Sequence, residues 1–331
     1  MLDHKTILVT GGTGSFGTEF IKLTLENFKV EKLIIFSRDE IKQWEMQKLY
    51  VDDPRVRFFI GDVRDRDRLY RAVSGVDYVV HAAATKIVPT AEYNPFECVK
   101  TNVFGAMNVI DACIDNRVRK VIALSTDKAV NPINIYGASK LASDKLFVAA
   151  NSYSGKKNTL FSVVRYGNVM GSRGSVIPLF MEAKRTGKLP ITDERMTRFM
   201  ISLPQAIRLV WRALCDAEGG EIYVKKIPST KIVDLAKTIA PEAQIELIGI
   251  RPGEKLHEQM IGLEDAPFTY EYPDYYKIVP SIASDANVDW IKSGALVPEN
   301  FCYSSNTNNQ WMSCEEIIEW IELNKKVIGK I

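Results

Sequence analysis

A glycine-rich turn near the start of the chain constrains the fold more than any other feature. The β-forming run Thr6–Thr10 ends directly in Gly11, and Gly14 and Gly17 follow at intervals of three. The next residues have the apolar spacing of a helix. Glycines allow a backbone to approach a pyrophosphate, and a helix N-terminus offers unpaired N–H donors. A glycine triad alone is often just a flexible turn, but between a strand and a helix it predicts a dinucleotide-binding site.

β-forming and helix-forming segments alternate from residue 6 to residue 165. Strands are predicted at Thr6–Thr10, Lys32–Phe36, Val56–Ile60, Tyr78–His81, Val121–Leu124 and Phe161–Arg165. This alternation predicts an α/β fold with a doubly wound, parallel Rossmann-type sheet. From Met170 the pattern becomes irregular. We therefore expect a dinucleotide-binding domain over 1–169 and mainly a smaller C-terminal substrate-binding lobe over 170–331, which returns in part to the sheet domain.

Composition argues against several other classes of protein. The 43 basic and 41 acidic residues nearly balance and form no long single-sign runs, so no nucleic-acid partner is predicted. No apolar run reaches the roughly 18 residues that cross a bilayer, and a strand begins too early for a signal peptide. We expect a soluble cytoplasmic protein with no membrane partner. The five cysteines and three histidines are scattered, so we predict neither disulfides nor a metal site.

The stretch Leu124–Lys140 carries the strongest candidate for catalysis. Tyr136 and Lys140 are four residues apart, so a helix starting near Tyr136 places both side chains on one face. A nearby cation favours the phenolate, which allows the pair to take a proton as a hydride leaves. A short Tyr-x-x-x-Lys match is more often accidental. Its position after the fifth strand of a dinucleotide-binding chain favours the catalytic interpretation.

The second predicted strand ends in Ser37 and Arg38 rather than in an acid. An acid there would accept a hydrogen bond from a ribose 2′-hydroxyl, whereas a hydroxyl and a planar cation suit a 2′-phosphate. We therefore expect NADP in preference to NAD. The alternative is that Arg38 only pairs with Asp39 or Glu40.

The third and fourth strand ends carry further candidate cofactor contacts. Asp62 and Val63 follow the third strand, where a carboxylate and a backbone amide suit adenine. Ala82 and Ala83 follow the fourth strand and are small enough for a cofactor to lie against them. Lys86, in the same loop, is a candidate for contact with a phosphate or the substrate.

Two polar residues near these loops have more than one interpretation. His81 is expected to pack at the strand end rather than to act in catalysis. Asn102 is expected to order water or the active-site loop, and an ordinary surface asparagine is the alternative.

Three arginines in Gly- or Pro-bearing loops of the lobe suggest phosphate binding. They are Arg173, Arg198 and Arg251. Guanidinium groups that converge from separate loops can bind a diphosphate in bidentate fashion. Any one such arginine taken alone is more often a plain surface residue, and it is the set of three that makes phosphate binding an equal alternative.

The motifs as a set resemble the extended short-chain dehydrogenases and, within them, the inverting UDP-N-acetylglucosamine 4,6-dehydratases that open pseudaminic acid synthesis. The matching segments are 10–17, 36–40, 60–65, 91–95, 124–129, 165–169, 171–176, 196–199 and 251–255. Related capsule enzymes look similar but tend to lack a tyrosine at position 136, so its presence points to the pseudaminic-type branch.

The resemblance implies a redox-neutral dehydration of UDP-N-acetylglucosamine that uses NADP. Tyr136 and Lys140 would serve oxidation at carbon 4. Lys128 as base and Asp127 as acid would serve the loss of water across carbons 5 and 6, and a plain ion pair is the alternative for these two. Epimerisation at carbon 5 is left open, and we expect a homo-oligomer, a dimer or a hexamer.

The residues at the strand ends and those implied by the resemblance together make up the full set of predicted site residues. The predicted cofactor contacts are Gly11, Thr13, Gly14, Ser15, Phe16, Gly17, Ser37, Arg38, Asp62, Val63, Ala82, Ala83, Lys86, Asn102, Tyr136 and Lys140. The predicted substrate contacts are Lys86, Thr126, Asn168, Arg173, Val176, Thr197, Arg198, Arg251 and Glu254. A nucleotide-sugar 4-epimerase is the enzymatic alternative, disfavoured by Asp127 and Lys128. A non-catalytic NADP sensor is the other alternative, disfavoured by Tyr136 and Lys140.

Overall fold

The computed structural model describes residues 2–155, 158–172, 176–281, 291 and 293–328. Its helices are α1 Ser15–Asn27, α2 Glu40–Gln47, α3 Arg66–Ala72, α4 Val88–Tyr93, α5 Pro95–Val99, α6 Gly105–Asp115, α7 Ile135–Tyr153, α8 Val176–Ala183, α9 Leu203–Asp216, α10 Ile232–Ile239 and α11 Cys314–Ile328. Its strands are β1 Thr6–Thr10, β2 Lys32–Ser37, β3 Val56–Ile60, β4 Tyr78–His81, β5 Lys120–Thr126, β6 Leu160–Tyr166, β7 Asn168–Val169, β8 Lys188–Ile191, β9 Thr197–Ile201, β10 Ile222–Lys225, β11 Ser229–Lys231, β12 Gln244–Leu247, β13 Gln259–Ile261, β14 Thr269–Glu271, β15 Tyr275–Ile278, β16 Ala295–Leu296 and β17 Tyr303–Ser304.

A large, mostly parallel sheet organises the molecule. Its described strands run in the order β16-β14-β15-β10-β6-β5-β4-β1-β2-β3. In β1, Val9 lies opposite Ile35 of β2 on one side and Val80 of β4 on the other. These runs are buried because helices cover both faces of the sheet. The predicted doubly wound Rossmann-type fold is confirmed. Three of the six predicted strands have the observed bounds, and the other three, β2, β5 and β6, differ by one or two residues at their ends.

The chain re-enters this sheet after residue 169. Strand β10 pairs in parallel with β6, and β15 and β14 then add antiparallel strands. The aromatic segment that follows residue 268 therefore belongs to the sheet, where the rings of Tyr272 and Tyr275 stack with centroids 4.5 Å apart.

The other C-terminal elements form a smaller lobe with its own apolar core. Its short sheets are β11-β9-β7, β12-β8 and β13-β17. Ile177, Phe180 and Leu235 are buried members of the lobe core, whereas Met260 and Ile261 of β13 and Tyr303 of β17 belong to the large core. In the part of the chain that the structure describes, no helix combines the length and apolarity needed to cross a bilayer.

The sheet topology determines where a site can form. Strands β1, β2, β4 and β5 are parallel neighbours, so their carboxyl ends meet at one edge. The order of strands reverses on the two sides of β1, and ligands of open α/β sheets bind at such a switch point. A short 3₁₀ turn, Asp127–Ala129, follows β5 at this edge and leads into α7.

Candidate active site

A cleft of about 750 Å³ lies at the carboxyl edge of the sheet and is lined from both the sheet domain and the lobe. The predicted site residues that line it are Gly11, Thr13, Gly14, Ser15, Phe16, Gly17, Ser37, Arg38, Asp62, Val63, Ala82, Ala83, Lys86, Thr126, Lys128, Tyr136, Lys140, Asn168, Arg251 and Glu254. Of the other predicted residues, those that the structure describes lie away from this lining: Asn102, Asp127, Val176, Thr197 and Arg198. Arg173 is outside the described residues.

The glycine turn is shaped for a pyrophosphate. Gly11 has φ +66°, and a Cβ at this position would lie 2.9 Å from the backbone of Ala83. A Cβ on Gly17 would lie 2.5 Å from Cα of Gly12, so glycine is what lets α1 pack against the turn. Gly14 precedes α1 and supplies no side-chain cap. A helix N-terminus without a side-chain cap suits an anion, and the turn fits a dinucleotide.

Arg38 lines the cleft directly after β2 and is only loosely paired. Its side chain is 67% exposed, with its guanidinium 3.8 Å from Asp62 Oδ2. Asp62 is itself bound by Arg64 at 2.7 Å. The structure thus pairs Arg38 with Asp62 rather than with Asp39 or Glu40, and Asp39 instead caps α2.

Asn102 orders the loop that follows β4. Its side chain is buried, and Nδ2 donates to Thr85 O at 3.0 Å and to Ser139 Oγ at 2.9 Å. Its Oδ1 accepts from the backbone N–H of Thr85 at 2.8 Å. The surface interpretation of Asn102 is therefore wrong and the loop-ordering one is confirmed. Because its amide is used in this way, the structure gives no support for a direct cofactor contact.

His81 packs at the end of β4, as predicted. Its Nδ1 lies 2.8 Å from the hydroxyl of Thr10, and the ring packs near Phe147. Burial lowers the pKa of His81 to about 3, so the imidazole is neutral at ordinary pH.

Tyr136 and Lys140 lie one turn apart at the start of α7, and both are buried. Burial raises the pKa of Tyr136 to about 12, while the Lys128 charge and a hydrogen bond with Thr126 act in the opposite direction. Burial also lowers the pKa of Lys140. The expectation that a cation makes the phenolate accessible near neutral pH is thus wrong for the protein alone, because desolvation outweighs the nearby charges.

Asp127 and Lys128 form a charged pair at the end of β5. Asp127 is fully buried, and its Oδ1 accepts from Thr126 Oγ1 at 2.9 Å and from Lys128 Nζ at 3.0 Å. Burial opposes the charge on Lys128, but the carboxylates of Asp127 and Glu258 raise its pKa above the usual range. Lys128 therefore reaches the cleft as an ammonium group, with Asp127 behind it.

Of the two predicted lobe arginines that the structure describes, Arg251 lines the cleft and Arg198 does not. Arg198 is buried, and its guanidinium donates to the carbonyls of Thr197, Leu256 and Lys255 at 2.7, 3.1 and 3.0 Å. These bonds tie β9 to the loop before β13 and use most of its donors. The structure gives Arg198 a structural role in the lobe rather than the predicted contact with the diphosphate.

Other lobe residues divide between the cleft and the lobe interior. Arg251 lines the cleft and its Nε lies 3.2 Å from Glu254 Oε1, while Asn168 lines it with a buried Oδ1 that has no partner among the described residues. Thr197 is buried away from the cleft, where it bonds to lobe side chains. Val176 starts α8 and packs against the apolar core of the lobe.

Two buried carboxylates near the site were missed from the sequence. Asp144 accepts from Ser125 Oγ at 2.6 Å and lies 3.5 Å from Arg165. It follows Lys140 by four residues, so an acid on the buried face of α7 was a usable signal. Glu258 lies 3.3 Å from Lys128 Nζ, and nothing in the local sequence indicates this long-range contact.

The glycine turn, the switch-point cleft and the buried Tyr136–Lys140 pair define a protein of the extended short-chain dehydrogenase class. Within that class the chain belongs to the family described as "Polysaccharide biosynthesis protein", whose model matches residues 7–280.

Two curated relatives match nearly the whole chain. UDP-N-acetylglucosamine 4,6-dehydratase (inverting) of Campylobacter jejuni is 55% identical over 97% of this chain and 98% of its own. This similarity confirms the predicted resemblance. UDP-glucose 4-epimerase of Rickettsia canadensis is 43% identical over 96% of each chain.

Two solved structures share the fold. Pen from Bacillus thuringiensis superposes with a TM-score of 0.90 at 37% identity and covers 99% of each chain. DesIV, a dTDP-glucose 4,6-dehydratase from Streptomyces venezuelae solved with NAD bound, has a TM-score of 0.69 at 26% identity. The match with DesIV covers 76% of this chain and 86% of that one.

Proposed function

We propose that the protein is an inverting UDP-N-acetylglucosamine 4,6-dehydratase that works with NADP. One observation carries the proposal: Lys128 lines the same cleft as Tyr136 and Lys140, so a group for eliminating water lies beside the pair for hydride chemistry. The Campylobacter jejuni relative of that name, 55% identical over almost its full length, supports the same activity.

The cleft suits a nicotinamide dinucleotide, as DesIV with its bound NAD also suggests. The uncapped start of α1 and the turn at Gly11 would hold the pyrophosphate, and Ser37 with Arg38 would hold a 2′-phosphate. When bound, the cofactor accepts a hydride from sugar carbon 4 and returns it at carbon 6, which makes the overall reaction redox-neutral.

Tyr136 takes the proton of the carbon-4 hydroxyl. To do so, the phenol must first release its own proton to water in the cleft, and because burial raises its pKa to about 12, this release needs positive charge close by. Lys128 supplies such a charge from the protein, and the hydrogen bond with Thr126 favours the phenolate in the same direction.

Lys128 is the group that removes the carbon-5 proton and protonates the departing carbon-6 hydroxyl. It must first release its own proton before it can act as a base, and Asp127 Oδ1 at 3.0 Å is the acceptor in place. We assign Asp127 as the group that takes this proton and returns it, so that the pair carries one proton from carbon 5 to the departing hydroxyl.

The lobe side of the cleft binds the sugar nucleotide in this proposal. Arg251 and Lys86 suit the diphosphate, and Asn168 and Glu254 offer polar atoms to the sugar or uracil. We further propose a 4-keto-6-deoxy UDP-sugar as product and a cytoplasmic homo-oligomer that supplies pseudaminic acid or a related glycan pathway. The resemblance at Tyr136 supports this assignment.

A nucleotide-sugar 4-epimerase is the second candidate, because the Rickettsia canadensis relative with that name is 43% identical. Inversion at carbon 4 needs Tyr136 and Lys140 but no proton transfer at carbon 5. The ammonium of Lys128 in the cleft therefore favours the dehydratase.

Incubation with UDP-N-acetylglucosamine and NADP, followed by mass analysis of the sugar, tests the proposal. We expect the loss of one water, whereas an unchanged mass with inverted carbon 4 would establish the epimerase. Lys128→Arg keeps the cation but cannot act as a base, so reduced cofactor should accumulate without dehydrated sugar. Tyr136→Phe should slow hydride transfer by about 10²–10⁴-fold. Dehydration by Lys128→Arg at the wild-type rate would refute the role of Lys128.

A further inference from the structure

A carboxylate from the lobe lies against the ammonium of Lys128. Glu258 directly precedes β13, and its side chain is 3% exposed. Its Oε1 is 3.3 Å from Lys128 Nζ and 3.9 Å from Arg198 Nε. Glu258 does not line the cleft among the described residues, so any effect on the reaction must act through Lys128.

The backbone of Glu258 is fixed from the opposite side by the strand partner of β13. Its N–H donates to Ser305 Oγ at 2.9 Å, and its carbonyl accepts from the N–H of Ser305 at 2.8 Å. The side chain of Ser304 also bonds to this carbonyl at 3.3 Å. The carboxylate is therefore presented to Lys128 by a strand rather than by a free loop.

Lys128 thus lies between two buried carboxylates. Asp127 Oδ1 is 3.0 Å from Nζ on one side, and Glu258 Oε1 is 3.3 Å away on the other. The second oxygens, Oδ2 of Asp127 and Oε2 of Glu258, are buried and accept no hydrogen bond from the described residues. The four-carbon side chain of Lys128 is flexible, so contact with two carboxylates restricts its orientations far more than contact with a single carboxylate would.

We propose that Glu258 is a positioning residue that aims the Lys128 ammonium into the cleft and sets the pH range in which Lys128 exchanges its proton. The proposal rests on the dehydratase function, because proton exchange by Lys128 matters only if water is eliminated.

The charged surroundings of Lys128 give the direction of the effect. The groups that face it are Asp127 behind it, Glu258 before β13, Arg198 on β9 and Tyr136 on α7, with Lys255 nearby. Without the Glu258 charge, Lys128 and Arg198, with Lys255 nearby, would share the single carboxylate of Asp127. The pKa of Lys128 should then fall, by about 1–3 units for the loss of an opposite charge within about 4–6 Å.

Glu258→Gln tests this inference because it keeps the shape and removes the charge. Single-turnover dehydration should be followed between pH 7 and pH 11, with reduced nicotinamide and dehydrated sugar measured together. The part of the pH profile that depends on the protonation of Lys128 should move to lower pH by about 1–3 units. Superimposable profiles of the wild type and Glu258→Gln would overturn the proposal.

Two further variants separate positioning from folding. Glu258→Asp keeps the charge in the buried site but moves it back, so kcat should fall several-fold while KM stays unchanged and the pH profile shifts less than in Glu258→Gln. An unchanged kcat in this variant would overturn the proposal even if Glu258→Gln failed to fold. The matched control is Glu221→Gln, because Glu221 is fully buried and bonds to Ser162 and local backbone away from the cleft. This control should lower the melting temperature without moving the pH profile.

A measurement without substrate distinguishes failure of this inference from failure of the proposed function. The ¹³Cε resonance of Lys128, assigned by its absence in Lys128→Arg, reports the protonation of Nζ directly. Its titration midpoint should be lower in Glu258→Gln than in the wild type, whether or not UDP-N-acetylglucosamine is dehydrated. Equal midpoints would refute the role of Glu258, while a lowered midpoint without any dehydration would refute only the proposed reaction.

Discussion

Replacing Arg38 with alanine tests the choice of cofactor. The side chain lines the cleft, is 67% exposed and has a carboxylate of Asp62 as its ion-pair partner at 3.8 Å. Asp62 already has Arg64 at 2.7 Å, so it does not depend on Arg38. Such an exposed pair contributes only about 0–1 kcal/mol, and Arg38 therefore gives up little when it turns to a 2′-phosphate.

The size of the effect follows from this geometry. A hydrogen bond to a charged group contributes about 1.5–3 kcal/mol to binding. Little of this free energy is offset when Arg38 gives up its weak pair with Asp62. Arg38→Ala should therefore weaken NADP binding by about 10- to 150-fold. NAD has no 2′-phosphate, so its affinity should change less than about two-fold, and the free energy of unfolding should stay within about 0.5 kcal/mol.

Isothermal titration calorimetry with NADP and NAD on the same preparations measures both effects. Arg66→Ala is the matched control, because Arg66 is 57% exposed and has a similar pair with Asp111 at 3.9 Å. It should change neither affinity. Equal losses for the two cofactors in Arg38→Ala, or no loss for NADP, would refute the assignment of the 2′-phosphate site.

Three other predictions follow from the packing and charge of individual residues. Gly17→Ala should destabilise the protein by about 1–3 kcal/mol in urea unfolding and abolish cofactor binding, because its Cβ would lie 2.5 Å from Gly12 Cα. The pKa of His81 falls from 6.5 to about 3 on folding, so its contribution is complete above pH 6.5 and is lost as the pH falls toward 3. The wild type should therefore lose about 3 kcal/mol more than His81→Asn between pH 7 and pH 4 in urea unfolding. Steady-state kinetics and melting curves should show that Arg251→Ala raises the KM for the sugar nucleotide and leaves the melting temperature unchanged, whereas Arg198→Ala lowers the melting temperature.

The strand ends were predictable from the sequence because a parallel sheet brings them together by necessity. Once the alternation of strands and helices is recognised, Gly11, Ser37, Ala82 and Thr126 must meet at one edge, however distant they are in the chain. The cofactor half of the cleft therefore follows from pattern alone. Its residues are close in sequence to the strands that place them.

The lobe half could not be predicted in the same way. A loop arginine such as Arg198 has the same local signature whether it faces a phosphate or donates to buried carbonyls. Only the packing of β9 on the loop before β13 decides between them. The pKa of Tyr136 could not be predicted for a similar reason. The sequence spacing of Tyr136 and Lys140 indicates that a charge is near, but it does not indicate how much water is excluded from the phenol.

The two halves of the proposed reaction depend on different parts of the molecule. Tyr136 and Lys140 lie on α7 against the sheet, so the side chains that act in the hydride step belong to the sheet domain, while the lobe contributes to this step by binding the sugar nucleotide. Lys128 belongs to the same edge, but its second anionic partner, Glu258, comes from the lobe. Elimination of water therefore depends on the lobe for a charge beside Lys128 as well as for sugar binding, whereas oxidation depends on the lobe for sugar binding alone. Among relatives that share this fold, the difference between a dehydratase and an epimerase should be sought in the charges around position 128, including those contributed by the lobe, rather than in the tyrosine and lysine that both reactions need.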